Sequence, residues 1–121
     1  MAVKTILIVE DEPIIGMELK ESLEKLGYNV PEVIRNADGV MSGVIKNNPD
    51  LIIMDIYLKS FIDGIDAAQR VKMMKDTPII FLTAYPNDSI RKKAMTIKPA
   101  AYLLKPIRGE ELQMKIKEVL G

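Results

Sequence analysis

Two rhythms of apolar and polar residues run along this chain. Short, nearly continuous apolar runs, "TILIV" (5–9), "DLIIMD" (50–55), "PIIFLTA" (78–84) and "AAYLLK" (100–105), predict strands buried on both faces. Between them lie segments with helical spacing. "PIIGMELKESLEKL" (13–26) opens on a proline suited to a first helical turn and stops at Gly27. "ADGVMSGVIKN" (37–47) places Val40 and Val44 on one face of a helix that its two glycines weaken. "GIDAAQRVKMM" (64–74), "NDSIRKKAMTI" (87–97) and "GEELQMKIKEVL" (109–120) predict three more helices, the last with Leu112, Ile116 and Val119 on one side. "YNVPEVI" (28–34) is strand-like, but Pro31 has no amide hydrogen for a ladder, which confines this strand to an edge.

Five strand–helix units in succession predict a parallel sheet with helices on both faces. With right-handed crossovers the expected α/β fold is a flavodoxin-like three-layer sandwich, a five-stranded parallel sheet in the order 2-1-3-4-5 with five helices. Residues 1–121 read as a single domain without repeat, linker or low-complexity segment.

Composition narrows the chemistry. The chain has no cysteine and no histidine, so thiolate nucleophiles, disulfides, Ser-His-Asp catalysis and imidazole-bound metals are excluded. A metal has to be held by oxygen, which suits a hard cation such as Mg²⁺. No apolar run approaches the ~20 residues that span a bilayer. The start, "MAVKTILIVED", reads as a first strand and not a signal peptide, so a cytoplasmic location without membrane contact is the expectation.

Net charge is zero but unevenly spread: residues 1–66 hold 12 acids and 6 bases, residues 67–121 hold 5 acids and 11 bases. A uniformly basic nucleic-acid binder does not look like this, and direct nucleic-acid binding is not expected. The split suggests an acidic site built early and a basic face built late, or scatter over solvated helices.

In such sheets ligands bind beyond the carboxyl ends of the strands, where the winding direction reverses. The first predicted strand ends in Glu10-Asp11, the third in Asp55, the fourth in Thr83-Ala84 and the fifth in Lys105-Pro106. Each has an ordinary reading as well: acids favour a helix N-terminus, an aspartate opens a loop, a threonine suits a strand, a lysine suits a surface. Their conjunction at one edge points to a site. Glu10, Asp11 and Asp55 can gather a divalent cation, Lys105 adds a second positive charge and Thr83 a hydroxyl donor. That is the equipment of phosphoryl chemistry, with an acid as nucleophile.

These residues carry a resemblance. From "ILIVEDE" through "PDLIIMDIYL", "DGIDAA", "PIIFLTA" and "AYLLKP" to the last helix, the chain resembles the receiver domain of two-component response regulators. The resemblance implies that Asp55 accepts a phosphoryl group from a sensor histidine kinase, with Mg²⁺ as cofactor. It implies a metal site of Glu10, Asp11, Asp55 and the main-chain carbonyl of Tyr57. It also makes Thr83 the switch hydroxyl, Lys105 the phosphoryl partner, held by a cis peptide to Pro106, and Tyr102 the aromatic switch. Read from its context alone, Tyr102 is equally a half-buried strand aromatic. Output is expected on the face of the fourth helix, fifth strand and fifth helix, toward a downstream protein target or a fused output domain. Arg91, Lys92 and Lys93 lie there, and a solvated helix face is the rival reading.

Two departures stand out. The loop "IYLKSFIDG" is one residue longer than the commonest form of the family and lacks its usual proline. Tyr57 and Tyr85 lie two residues beyond Asp55 and Thr83, positions that in the family tune phosphoaspartate lifetime. Two rings there are expected to shield the acyl phosphate from water.

The expectation is therefore a signalling switch that catalyses only its own phosphorylation and dephosphorylation, not a metabolic enzyme. An aspartyl-phosphate phosphatase is an alternative, though such enzymes need an acid where Tyr57 stands. A receiver-like scaffold that is never phosphorylated is another. A freestanding receiver and a piece of a longer regulator are equally compatible with the sequence.

Overall fold

A computed structural model describes residues 3–58, 63–85 and 87–121. The strands are β1 (Ile6–Val9), β2 (Val33–Ile34), β3 (Leu51–Asp55), β4 (Ile79–Thr83) and β5 (Ala101–Leu104). The helices are α1 (Pro13–Lys25), α2 (Val40–Asn47), α3 (Gly64–Met74), α4 (Asp88–Met95) and α5 (Gly109–Leu120). The sheet runs β2-β1-β3-β4-β5 with every pair parallel, the predicted order.

The sheet sorts its side chains by alternation, because successive residues of a strand face opposite sides. Leu7, Val9, Ile52, Met54, Ile79 and Phe81 pack with α2, α3 and Ala94 of α4 on one face. Ile6, Ile8, Leu51, Ile53, Ile80, Leu82 and Leu103 pack with Leu23 of α1 and with Leu112 and Ile116 of α5 on the other. Every residue of β1, β3 and β4 is buried, which accounts for their unbroken apolar runs. Val40 and Val44 of α2 are also buried, and Val119 packs against the second cluster.

Local differences from the sequence reading have physical causes. The predicted strand 28–34 pairs only at Val33–Ile34, after an isolated bridge between Thr5 and Asn29; Pro31 lies in the gap it cannot bridge. The predicted helix 37–47 begins as a 3-10 turn, Ala37–Gly39, because the Asn36 side chain accepts from the Gly39 amide and tightens the entry. Gly27, the predicted stop of α1, has φ +97°, a conformation that favours glycine. Residues 59–62 of the longer loop lie outside the described residues.

The loops at the carboxyl ends of the strands position the candidate site. Asp63 caps α3 by accepting from the Asp66 amide at 2.8 Å. Gly64 then donates its amide to the Ile56 carbonyl at 2.9 Å, pressing the start of α3 onto the end of β3. An open groove of about 1000 Å³ leads from Asp11, Asp55 and Lys105 along Ile15, Leu19 and Ile107, between α1 and α5.

Candidate functional site

Adjacent parallel strands carry the predicted residues to one edge. β1 pairs with β3 so that Val9 lies beside Met54, which brings Glu10 and Asp11 level with Asp55. Carboxylate oxygens of Glu10, Asp11 and Asp55 lie within 4.8 Å of one another. β4 and β5 bring Thr83 beside Leu104, so that Lys105 follows directly; its amide donates to the Thr83 carbonyl at 2.8 Å.

Lys105 joins the acids. Its Nζ donates to Glu10 Oε1 at 2.6 Å and to Asp55 Oδ2 at 3.1 Å, across 95 and 50 residues of sequence. Glu10 is buried, and its other oxygen accepts the Glu12 amide at 3.2 Å. Asp55 is also buried, and its Oδ1 accepts the Tyr57 amide at 3.1 Å. The Lys105–Pro106 peptide is cis, as the resemblance implies. Burial pulls the Lys105 ammonium down, but the Glu10 hydrogen bond and the charges of Asp55 and Glu10 outweigh it and raise it above the usual lysine value of 10.5.

The charge count tests the fit of a metal. Among the described residues three carboxylates face one ammonium, a formal charge of −3 + 1 = −2, which one divalent cation balances. The donors are all oxygen, as a hard cation requires, and their spacing lets one ion reach all three. The residues fit Mg²⁺.

The remaining predicted residues surround this cluster. Thr83 is fully buried at the end of β4, and its Oγ1 accepts the Tyr85 amide at 3.2 Å. Tyr57 and Tyr85 meet edge to face across the mouth of the site, with ring centroids 5.4 Å apart. Tyr102 packs against the α3–α4 face of the sheet, with the Arg91 guanidinium 6.0 Å from its ring centre. Arg91, Lys92 and Lys93 are exposed on α4, and Lys93 lies 3.5 Å from Asp66 of α3.

Two features escaped the sequence reading. Glu10 is the closest partner of Lys105, a contact no local pattern announces. Gly64 is the second: a Cβ there meets the Asp55 carbonyl oxygen and lies 2.8 Å from the Ile56 Cα. The only signal was the pairing of a helix-capping Asp63 with a following glycine.

The Tyr102 hydroxyl is buried without a hydrogen-bond partner among the described residues. Desolvation raises its ionisation above the usual 10.0, the Tyr57 charge adds to this, and Arg91 opposes it. Tyr102→Phe is therefore expected to keep or gain stability, by up to about 1 kcal/mol in urea denaturation at pH 7. The sign of the pH effect follows from linkage. The unfolded tyrosine ionises first, so its share of stability is whole below pH 10 and is lost as pH rises through the higher folded value. Lys105 acts in the same sense above 10.5. The alkaline decline of the melting temperature is thus expected to be shallower in Tyr102→Phe, and a loss of more than about 1 kcal/mol at pH 7 would contradict the orphaned hydroxyl.

Comparison with known proteins shows the family and the fold. The profile of the response regulator receiver domain family matches residues 6–117. The sensory transduction protein LytR of Staphylococcus haemolyticus is 36% identical over 115 residues, which cover 93% of this chain and 44% of LytR. The phyllosphere-induced regulator PhyR of Methylorubrum extorquens is 34% identical, over 95% of this chain and 43% of PhyR. The chain thus spans about half the length of the curated relatives it matches. Among solved structures, a CheY-like response regulator receiver domain protein of Methanospirillum hungatei superposes with a TM-score of 0.93 at 28% identity, covering 98% of this chain and 94% of that one. The signal receiver domain of a modulated diguanylate cyclase from Desulfovibrio desulfuricans gives a TM-score of 0.91 at 30% identity, covering 98% and 94%. With five parallel strands in the order 2-1-3-4-5, the acidic cluster at their carboxyl ends and a family match across nearly its whole length, this chain belongs to the response regulator receiver domains.

Proposed function

We propose that this receiver domain is a phosphoryl-accepting switch in which Asp55 takes a phosphoryl group from the phosphohistidine of a sensor histidine kinase. One observation carries the reading: the Asp55 carboxylate is held by Lys105 on one oxygen and by the Tyr57 amide on the other, within 4.8 Å of the carboxylate oxygens of Glu10 and Asp11.

In the transfer, an Asp55 oxygen bonds to phosphorus as the phosphorus–nitrogen bond breaks; the departing imidazole keeps the electron pair and takes a proton from solvent. The Lys105 ammonium stands where the transferred oxygens carry their charge and spreads it. Asp11, Asp55 and the Tyr57 carbonyl would hold Mg²⁺, with Glu10 completing the acidic set. When bound, the cation supplies further neutralisation of the phosphoryl oxygens. Thr83 lies at the end of the neighbouring strand, where its hydroxyl can turn from Tyr85 to a phosphoryl oxygen.

The groove between α1 and α5, apolar along Ile15, Leu19 and Ile107 and open at Asp55, suits a helix of the donor protein. Arg91, Lys92 and Met95 of α4 and Leu104 of β5 are exposed, and these elements serve as the output face when Thr83 and Tyr102 shift population between two conformations. Several curated relatives are named transcriptional regulators and are about twice as long, which supports a fused output domain as the recipient. The domain works on itself and turns over no external substrate, in the cytoplasm where such kinases present their phosphohistidine.

Intact-mass measurement after acetyl phosphate treatment tests the reading. A single phosphoryl adduct is expected with Mg²⁺, little or none with a chelator, and none on Asp55→Asn. An adduct that persists on Asp55→Asn, or its absence from the wild type in Mg²⁺, overturns it.

A further inference from the structure

Tyr57 and Tyr85 pair outside the core. Both are exposed, 38% and 67%, so their contact is not a by-product of core packing. Their rings meet at an interplanar angle of 89°, the edge-to-face geometry that aromatic pairs favour. Each is tied by its main chain to a functional side chain: the Tyr57 amide donates to Asp55 Oδ1, and the Tyr85 amide donates to Thr83 Oγ1 at 3.2 Å. The Tyr85 carbonyl is approached from two sides, by the Thr83 hydroxyl and by the Tyr57 hydroxyl, each at 3.5 Å.

The consequence is mechanical. The Thr83 hydroxyl has one proton, so it can donate to a phosphoryl oxygen on Asp55 only by giving up the Tyr85 carbonyl. Whatever holds Tyr85 in place therefore favours the resting arrangement, and Tyr57 holds it by ring and by hydroxyl. Resting on the reading that Asp55 accepts a phosphoryl group, we propose that Tyr57 is a positioning residue that holds Tyr85 and so opposes the switched conformation. The clamp joins the residue two places beyond Asp55 to the residue two places beyond Thr83. It acts on an equilibrium between conformations, whereas shielding from water acts only on rates.

Calorimetric titration with beryllofluoride, a reversible mimic of the phosphoryl group on a carboxylate, at fixed Mg²⁺ separates the two. Tyr57→Ala and Tyr85→Ala are each expected to bind it about two- to tenfold more tightly than the wild type, the span set by one edge-to-face pair. The double variant is expected to gain no more than either single one, because one contact is lost in all three. Tyr57→Phe keeps the ring pair and is expected to recover an affinity close to that of the wild type. Unchanged or weaker binding by both alanine variants, or gains that add in the double variant, overturns the clamp while leaving Asp55 as acceptor. Wild-type binding no tighter than that of Asp55→Asn overturns the acceptor reading and the clamp with it.

Discussion

Lys105→Met is expected to lose about 2–3 kcal/mol of stability in metal-free buffer and to accept a phosphoryl group at least about 100-fold more slowly. The Lys105 side chain is only 15% exposed and bridges two carboxylates that are buried more deeply still. Methionine keeps the length of the side chain but leaves Glu10 and Asp55 facing each other without a cation. Breaking a buried pair by removing one partner costs more than the pair contributed, because the remaining charge cannot return to water. The solvent that still reaches Lys105 keeps the expected loss toward the lower end of that range. Glu10→Gln is a graded comparison: it removes one of two acids and leaves Lys105 paired with Asp55, so its cost is smaller.

Magnesium sharpens the same experiment. Without the ammonium the cluster carries three formal negative charges and no internal counter-charge among the described residues. Ligand binding stabilises a fold by RT ln(1 + c/Kd), with c the free ligand concentration, and the extra negative charge tightens cation binding, so Mg²⁺ is expected to raise the stability of Lys105→Met more than that of the wild type. Urea denaturation in chelator and in Mg²⁺ measures both. A Lys105→Met protein as stable as the wild type in chelator would mean that the lysine is a solvated surface residue, the reading its local context also permits.

How far the sequence disclosed this molecule depended on the range of the interactions involved. β1, β3 and β4 were legible because central parallel strands are buried on both faces, and burial writes itself into consecutive residues. β2 was legible only as an edge, since Pro31 breaks its ladder, and its two paired residues could not be separated from the five around them. The entry to α2 was misjudged because a side-chain bond from Asn36 overrode a weak helical pattern. The site residues followed once the strand order placed four strand ends together. What did not follow were contacts fixed by packing: the 2.6 Å bond of Lys105 to Glu10, and the meeting of the Tyr57 and Tyr85 rings. Residues 95 or 28 positions apart leave no local trace of such a contact.

Gly64→Ala is expected to cost about 3 kcal/mol or more, beyond the usual range for one added methyl group, and to slow phosphoryl acceptance as well. The added Cβ meets the Asp55 carbonyl oxygen and the Ile56 Cα, both main-chain atoms in the middle of the fold. A flexible side chain could swing aside; a central strand paired with β1 and β4 cannot. Relief therefore has to come from lifting the start of α3, which breaks the Gly64 amide bond to Ile56 and disturbs the turn that sets the Tyr57 amide on Asp55. The helix-forming advantage of alanine over glycine, at most about 1 kcal/mol, offsets only a fraction. Gly109→Ala is the matched control, since glycine also opens α5 there and, among the described residues, nothing lies within 4 Å of the added atom; it is expected to be neutral or slightly stabilising. Thermal melts of the two variants, together with acetyl phosphate uptake, separate close approach from glycine content. Equal stability of Gly64→Ala and Gly109→Ala would show that α3 does not rest on the end of β3.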